Sequence, residues 1–184
     1  KPLTAMLRDG EGESPAFSKQ RIAFVKKREK VAPLYYSRAI EALEKLADKA
    51  SELGVQLAVE SRSRFEDMPT EREMAALQSH FKDHPAVGYW HDFGHVQLKH
   101  NLGLLGHDDW LESMEPHLIG AHVHDVQWPA RDHRVPFTGT LDYKTLLRHF
   151  KPGSPLTWEL SPTRKERDIR EALTVWRHLF PETT

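Results

Sequence analysis

Four short apolar segments, each with a side chain able to bind a cation at or next to its end, constrain this chain more than any other feature. They are Val55 to Glu60, Val87 to Asp92, Leu118 to Val123 and Leu156 to Glu159, and their ligand-type residues are Glu60, Asp92, His122 and Glu159. The intervals from Glu60 to Asp92, Asp92 to His122 and His122 to Glu159 are 32, 30 and 37 residues, about one strand–helix–strand unit each. Between the segments, apolar positions recur at helical spacing. Ile40, Leu43, Leu46, Ala47, Ala50 and Leu53 precede Gly54, which stands where a helix C-cap belongs. Thr70-Glu71-Arg72-Glu73 has the form of a capping box opening a helix with Met74, Leu77 and Phe81. Helices are also expected around Trp110, Leu111 and Met114, around Leu146, Leu147 and Phe150, and through Ile169, Leu173, Trp176 and Phe180. Strands alternating with helices imply parallel units with both sheet faces covered. No GxGxxG or GxxxxGK[ST] run is present, so nucleotide folds lose their usual signal, although spacing alone leaves an open parallel sheet as the alternative.

In a parallel (β/α) barrel the C-terminal strand ends converge on one rim, where such enzymes keep their active sites. A single Glu closing a strand is ordinarily a loop acceptor and a lone His a satisfied core residue, but four ligand types in register on four strands predict a shared site. The chain has no Cys and 12 His, so a metal must be held by carboxylate and imidazole. Glu60, Asp92, His122 and Glu159 suit Mn²⁺, Mg²⁺, Co²⁺ or Zn²⁺.

Secondary candidates surround this set. His95 follows Asp92 by three residues and can share the metal or reach a substrate. Asp125 follows His122 by three and is expected to orient an imidazole. Asp132 and His133 sit in a long loop from Asp125 to Gly139, a placement suited to binding a substrate. His124 alternates away from the residue before it and is set aside as a direct ligand. His91 is expected to face the helical layer, while His80, His84, His100, His107, His117 and His149 are assigned to the surface.

The N-terminal segment, residues 1–54, is expected to hold helices and a candidate strand at Leu3 to Leu7; residues 55–184 carry the metal site within one domain. The run Lys26-Lys27-Arg28-Glu29-Lys30 is read as a solvated helix face. Acidic and basic residues nearly cancel, 27 against 26, which provides no field to attract nucleic acid. No apolar run is long enough to span a bilayer. The opening residues lack the layout of a secretory signal, so the cytoplasm is the expected location.

On Leu57-Ala58-Val59-Glu60, Tyr89-Trp90-His91-Asp92-Phe93-Gly94-His95, His122-Val123-His124-Asp125, Asp132-His133 with Gly139-Thr140-Leu141-Asp142, and Trp158-Glu159, the chain resembles the xylose isomerase-like superfamily of sugar phosphate isomerases and epimerases. That superfamily also includes the class II apurinic endonucleases. The resemblance covers residues 55 to 180. It implies an α/β fold of TIM-barrel type, with this chain supplying about the C-terminal half as four clear βα units. It implies that Glu60, Asp92, His122 and Glu159 bind one divalent metal, that Glu60 and Glu159 exchange a proton beside a carbonyl, and that His95 and a basic loop residue hold substrate oxygens. The superfamily's full barrel has eight strands and about 250 residues, so a homodimer or a separate N-terminal half-barrel is expected to complete this one. The expected function is a divalent-metal-dependent isomerase or epimerase of a small sugar-like substrate. A half-barrel that binds metal or small molecules, or assembles without turnover, is the alternative. A metal-dependent phosphodiesterase fits less well, because the extra His ligands of a first half-barrel and a basic surface are missing.

Overall fold

The computed structural model of the chain describes residues 2–183. In chain order its elements are α1 (Leu3–Arg8), α2 (Pro15–Glu29), α3 (Ala32–Leu53), β1 (Leu57–Glu60), α4 (Glu71–His80), β2 (Val87–Asp92), α5 (Phe93–Asn101) and α6 (His107–Met114). There follow β3 (Leu118–Val123), β4 (Asp125–Gln127), β5 (Arg131–Arg134), α7 (Tyr143–Leu147), β6 (Leu156–Trp158) and α8 (Glu166–Leu179). Strands β1, β2, β3 and β6 form one parallel sheet in that order. The order repeats the order along the chain, as in a run of successive barrel strands.

Period-two alternation decides what each face of this sheet meets. On the helical side, Val59 packs with Leu77 and Phe81, and Tyr89 with Met74, Val96 and Trp110. Ala121 and Val123 join Phe93, Leu111, Tyr143 and Trp176, with Leu156 and Trp158 against the same cluster. Burying each such large side chain contributes ~1.5–3 kcal/mol, so this layer sets the register of all four strands. Ala58 and Thr157, on the other face, are exposed. The inner face of the arc is therefore open: β1 pairs only with β2, β6 only with β3, and the described residues form no closed barrel.

The helices begin and end where their local chemistry directs. Gly54 closes α3 at φ 66°, a conformation that costs a residue without Cβ nothing. Thr70 accepts from the Glu73 backbone N–H while the Glu73 side chain accepts from Thr70, completing the capping box of α4.

Three expectations need correction. Leu3 to Leu7 is helical, because Leu3, Met6 and Leu7 repeat at helical spacing and bury that stripe with Phe17 against Phe24 and Leu102. The loop from Asp125 to Gly139 contains an antiparallel hairpin, β4–β5. The basic run ends α2, but Arg28 within it is buried: its guanidinium donates to Glu73 and to the Asp67 carbonyl, fastening α2 to α4. No described helix is long and apolar enough to cross a membrane.

Candidate metal centre

The side chains that follow the core-facing residues turn to the open face. One ligand atom each from Glu60, Asp92, His122 and Glu159 lies within 4.8 Å of the others. His122 stands at their centre, its Nδ1 2.8 Å from Glu60 Oε1, 3.3 Å from Glu159 Oε2 and 3.8 Å from Asp92 Oδ2. Its ring is held edge-on to Trp90, with centroids 5.3 Å apart. Neighbouring ligands on one ion at ~2.1 Å stand roughly 3 Å apart, so these spacings suit a shared cation. Two further observations support the fit. Asp92 Oδ2 and Glu159 Oε2 are buried and have no hydrogen-bond partner, a costly state for carboxylate oxygens. Three carboxylates around one imidazole also leave excess negative charge that a divalent cation neutralises.

Asp92 is the most constrained member. Fully buried, it caps α5 by accepting from the His95 backbone N–H at 2.7 Å through Oδ1. Its backbone N–H donates to Ser61 Oγ. His124 Nε2 stands 2.9 Å from the same Oδ1, and the backbone N–H of His133 donates to His124 Nδ1 at 2.9 Å. Burial pushes the Asp92 carboxyl up, but the adjacent imidazoles of His124 and His95 outweigh it and hold the group below its ordinary range. The converse holds for His124, where burial lowers the imidazole and Asp92 raises it to a net value above the usual one.

His95, His124 and His133 form a second group of potential ligands within 4.8 Å, although several of their ring nitrogens already have partners. His95 Nδ1 lies 2.9 Å from the Ser61 carbonyl and 3.4 Å from Asp92 Oδ2. The rings of His124 and His133 stack at 4.2 Å. Asp132 Oδ1 is 3.2 Å from His133 Nδ1, and His133 Nε2 is 3.7 Å from Glu159 Oε2. His95 and His133 thus reach the carboxylate centre, with Asp132 beside His133. A cleft of about 570 Å³ opens here, lined by Arg131, Asp132, His133, Arg134, Glu159 and Arg164 among others.

Asp125 is engaged by backbone groups rather than by an imidazole. Its buried carboxylate accepts from the backbone N–H groups of Val126, Gly139 and Leu141, tying the two ends of the hairpin loop together. The carboxylate that faces an imidazole is Asp92, and its partner is His124, which is not among the ligands expected from the sequence. The signal was present, since His122 and His124 are two apart on one extended segment and therefore share a face. His91 does lie in the helical layer, but His107 and His149 are buried rather than at the surface. His149 is enclosed between Glu115 and Asp108, both distant in sequence.

A parallel arc of strand–helix units with a carboxylate–imidazole centre on its C-terminal rim defines a protein of the (β/α)-barrel class. The chain belongs to the xylose isomerase-like TIM barrel family, which it matches over residues 19–179. Among solved structures it is similar to a D-tagatose 3-epimerase-like protein (TM-score 0.63, 16% identity, covering 79% of this chain and 54% of that one). It is also similar to 3-keto-D-glucoside 4-epimerase, YcjR, from E. coli in its apo form (TM-score 0.60, 19% identity, 78% and 53%). At these identities the likeness is one of fold, and the chain spans about half the length of each structure. No curated protein matches the sequence.

Proposed function

We propose that this chain carries the metal-binding and proton-transferring half of an isomerase or epimerase acting on a small sugar-like substrate. The observation that carries the reading is the meeting of Glu60 and Glu159 at His122 Nδ1, 2.8 and 3.3 Å away, with Asp92 behind them. Glu60, Asp92, His122 and Glu159 would hold one Mn²⁺, Mg²⁺, Co²⁺ or Zn²⁺. When bound, such an ion supplies Lewis-acid polarisation of a carbonyl and its neighbouring hydroxyl oxygen. Glu60 and Glu159 come from the two edge strands, so a substrate lying between them presents its α-carbon to a carboxylate on either side. One removes the proton and the other returns it. His95, His133 and the arginines of the cleft hold substrate oxygens, with Asp132 orienting His133. The neighbouring epimerase folds support this reading.

The test is solvent-deuterium exchange into a panel of ketoses with Mn²⁺ present. Glu159→Gln keeps an oxygen at the centre but removes the group that carries the proton. Exchange is expected to fall ~10²–10⁴-fold, the usual contribution of a general acid–base group, while the fold persists. A wild-type protein that binds Mn²⁺ fully and exchanges no proton on any ketose overturns the proposal.

The open edges of β1 and β6 favour one other reading, a half-barrel that binds or assembles without turnover. In both readings a second copy or an N-terminal half-barrel covers those edges.

A further inference from the structure

Behind the rim, six hydrogen bonds form one continuous buried chain. Trp110 Nε1–H donates to Tyr89 Oη at 2.8 Å, and Tyr89 Oη lies 2.9 Å from His91 Nδ1. His91 Nε2 lies 3.0 Å from His107 Nε2, and His107 Nδ1 lies 2.8 Å from Gln97 Oε1. Gln97 Nε2 donates to Asn101 Oδ1 at 2.9 Å. The chain ends where Asn101 Nδ2 donates to the Pro129 carbonyl at 2.8 Å. Every member side chain belongs to a buried residue.

Both ends are fixed by groups that cannot exchange roles, because an indole N–H only donates and a carbonyl only accepts. Since Pro129 must accept, Asn101 turns its amide N–H₂ outward, which leaves its oxygen to accept from Gln97. The Gln97 oxygen then accepts from His107, whose other nitrogen accepts from His91, whose other nitrogen accepts from Tyr89. One donor direction satisfies all six bonds, and it requires both imidazoles neutral. Burial keeps His107 so, pushing it down to about 3.

Pro129 lies in the connection between β4 and β5, the hairpin that brings Asp132 and His133 to the cleft. At its base this hairpin is tied by Asp125. Nearer its tip, the side-chain bond from Asn101 joins it to the helical layer. His133 itself sits at φ 50°, an uncommon conformation for a non-glycine residue that surrounding structure must enforce.

We infer that Asn101 is a positioning residue: its amide, oriented by the Gln97–His107–His91 chain, fixes the β4–β5 hairpin and so places His133 over the carboxylate centre. Its effect on turnover rests on the proposed isomerase reading. Its effect on the hairpin does not.

The experiment compares wild type with Asn101→Asp and Asn101→Leu. The Asp variant has nearly the same shape and can still accept from Gln97, but it has no donor for Pro129. Hydrogen–deuterium exchange is followed by mass spectrometry over residues 128–134, with β3 as internal reference. Both variants are expected to exchange at least ~10-fold faster in the hairpin, with β3 unchanged. In the ketose assay, kcat should fall and KM rise while Mn²⁺ affinity stays within about twofold. Hairpin exchange that stays at the wild-type rate in the Asp variant overturns the inference, as does exchange that rises equally in β3. If the wild type turns over no ketose, the isomerase reading fails and the exchange data still decide the role of Asn101.

Discussion

His124 Nε2 stands 2.9 Å from Asp92 Oδ1, and neither side chain is exposed to solvent. Because Oδ1 also caps α5, the carboxylate is held with Oδ2 as its unpartnered oxygen beside His122. Residues that orient ligands in this way typically contribute ~10–100-fold to metal affinity. His124→Leu should weaken Mn²⁺ binding by that factor, measured by titration with electron paramagnetic resonance. Asp92 would lose its facing imidazole but keep the His95 backbone N–H, so the expected cost in urea denaturation is about 1–3 kcal/mol. Undiminished Mn²⁺ affinity would remove His124 from the centre.

Gly94 is the residue on which His124 rests. A Cβ there would lie 1.9 Å from His124 Cε1, far inside contact distance, so Gly94→Ala must displace the ring. The expected loss is ~1–3 kcal/mol for overpacking, together with weaker Mn²⁺ binding. Gly10, where a Cβ meets nothing within 4 Å but φ is 77°, offers the contrasting variant Gly10→Ala. That change should cost backbone strain only and leave Mn²⁺ affinity unchanged.

Acid should unfold the protein through its buried histidines. Burial holds His107 at about 3 and depresses His91 as well, whereas an unfolded imidazole titrates near ~6.5. Below about 6.5 the unfolded chain binds protons that the folded chain refuses, so stability is complete above that pH and falls as pH drops toward 3. His107 alone contributes a slope of up to ~1.4 kcal/mol per pH unit. Urea midpoints between pH 7 and pH 5 should show this slope, and His107→Gln should flatten it.

Arg28 fastens the N-terminal helices through a two-pronged bond to Glu73, which itself caps α4. Burial raises the Glu73 carboxyl, but Arg28 and Thr70 outweigh it and hold the group below its ordinary range. Removing one member of a buried pair costs ~3–5 kcal/mol, and Glu73 retains some solvent contact, so Arg28→Ala should cost about 2–3 kcal/mol by urea denaturation. An effect under about 0.5 kcal/mol would mean that α2 is held by apolar packing alone.

Open strand edges should make the isolated chain associate. Leu34, Leu46 and Leu53 on α3 are also more than half exposed, adding apolar surface beside an unpaired β1. Sedimentation of the chain by itself should show dimers or larger species at micromolar concentration. A stable monomer would argue that edges and apolar face are tolerated without cover.

Sequence alone sufficed for the parallel sheet and the four residues at its rim. Strand alternation is a local rule, so once Val59, Tyr89, Val123 and Trp158 are assigned to the core, Glu60, Asp92, His122 and Glu159 fall on the opposite face at repeating intervals. The Thr70–Glu73 cap and the Gly54 stop were equally legible, since each is complete within a few residues. What only the tertiary structure decided is the pairing of polar groups. Arg28 reads as a solvated lysine-run residue until Glu73, 45 positions away, comes beside it. His107 and His149 read as surface residues until His91 or Asp108 encloses them, and Asp125 reads as an imidazole orienter until its oxygens meet the backbone of Gly139 and Leu141. A buried polar side chain is stable only with its partner. That partner comes from a distant segment, and the packing of the helical layer determines which segment arrives.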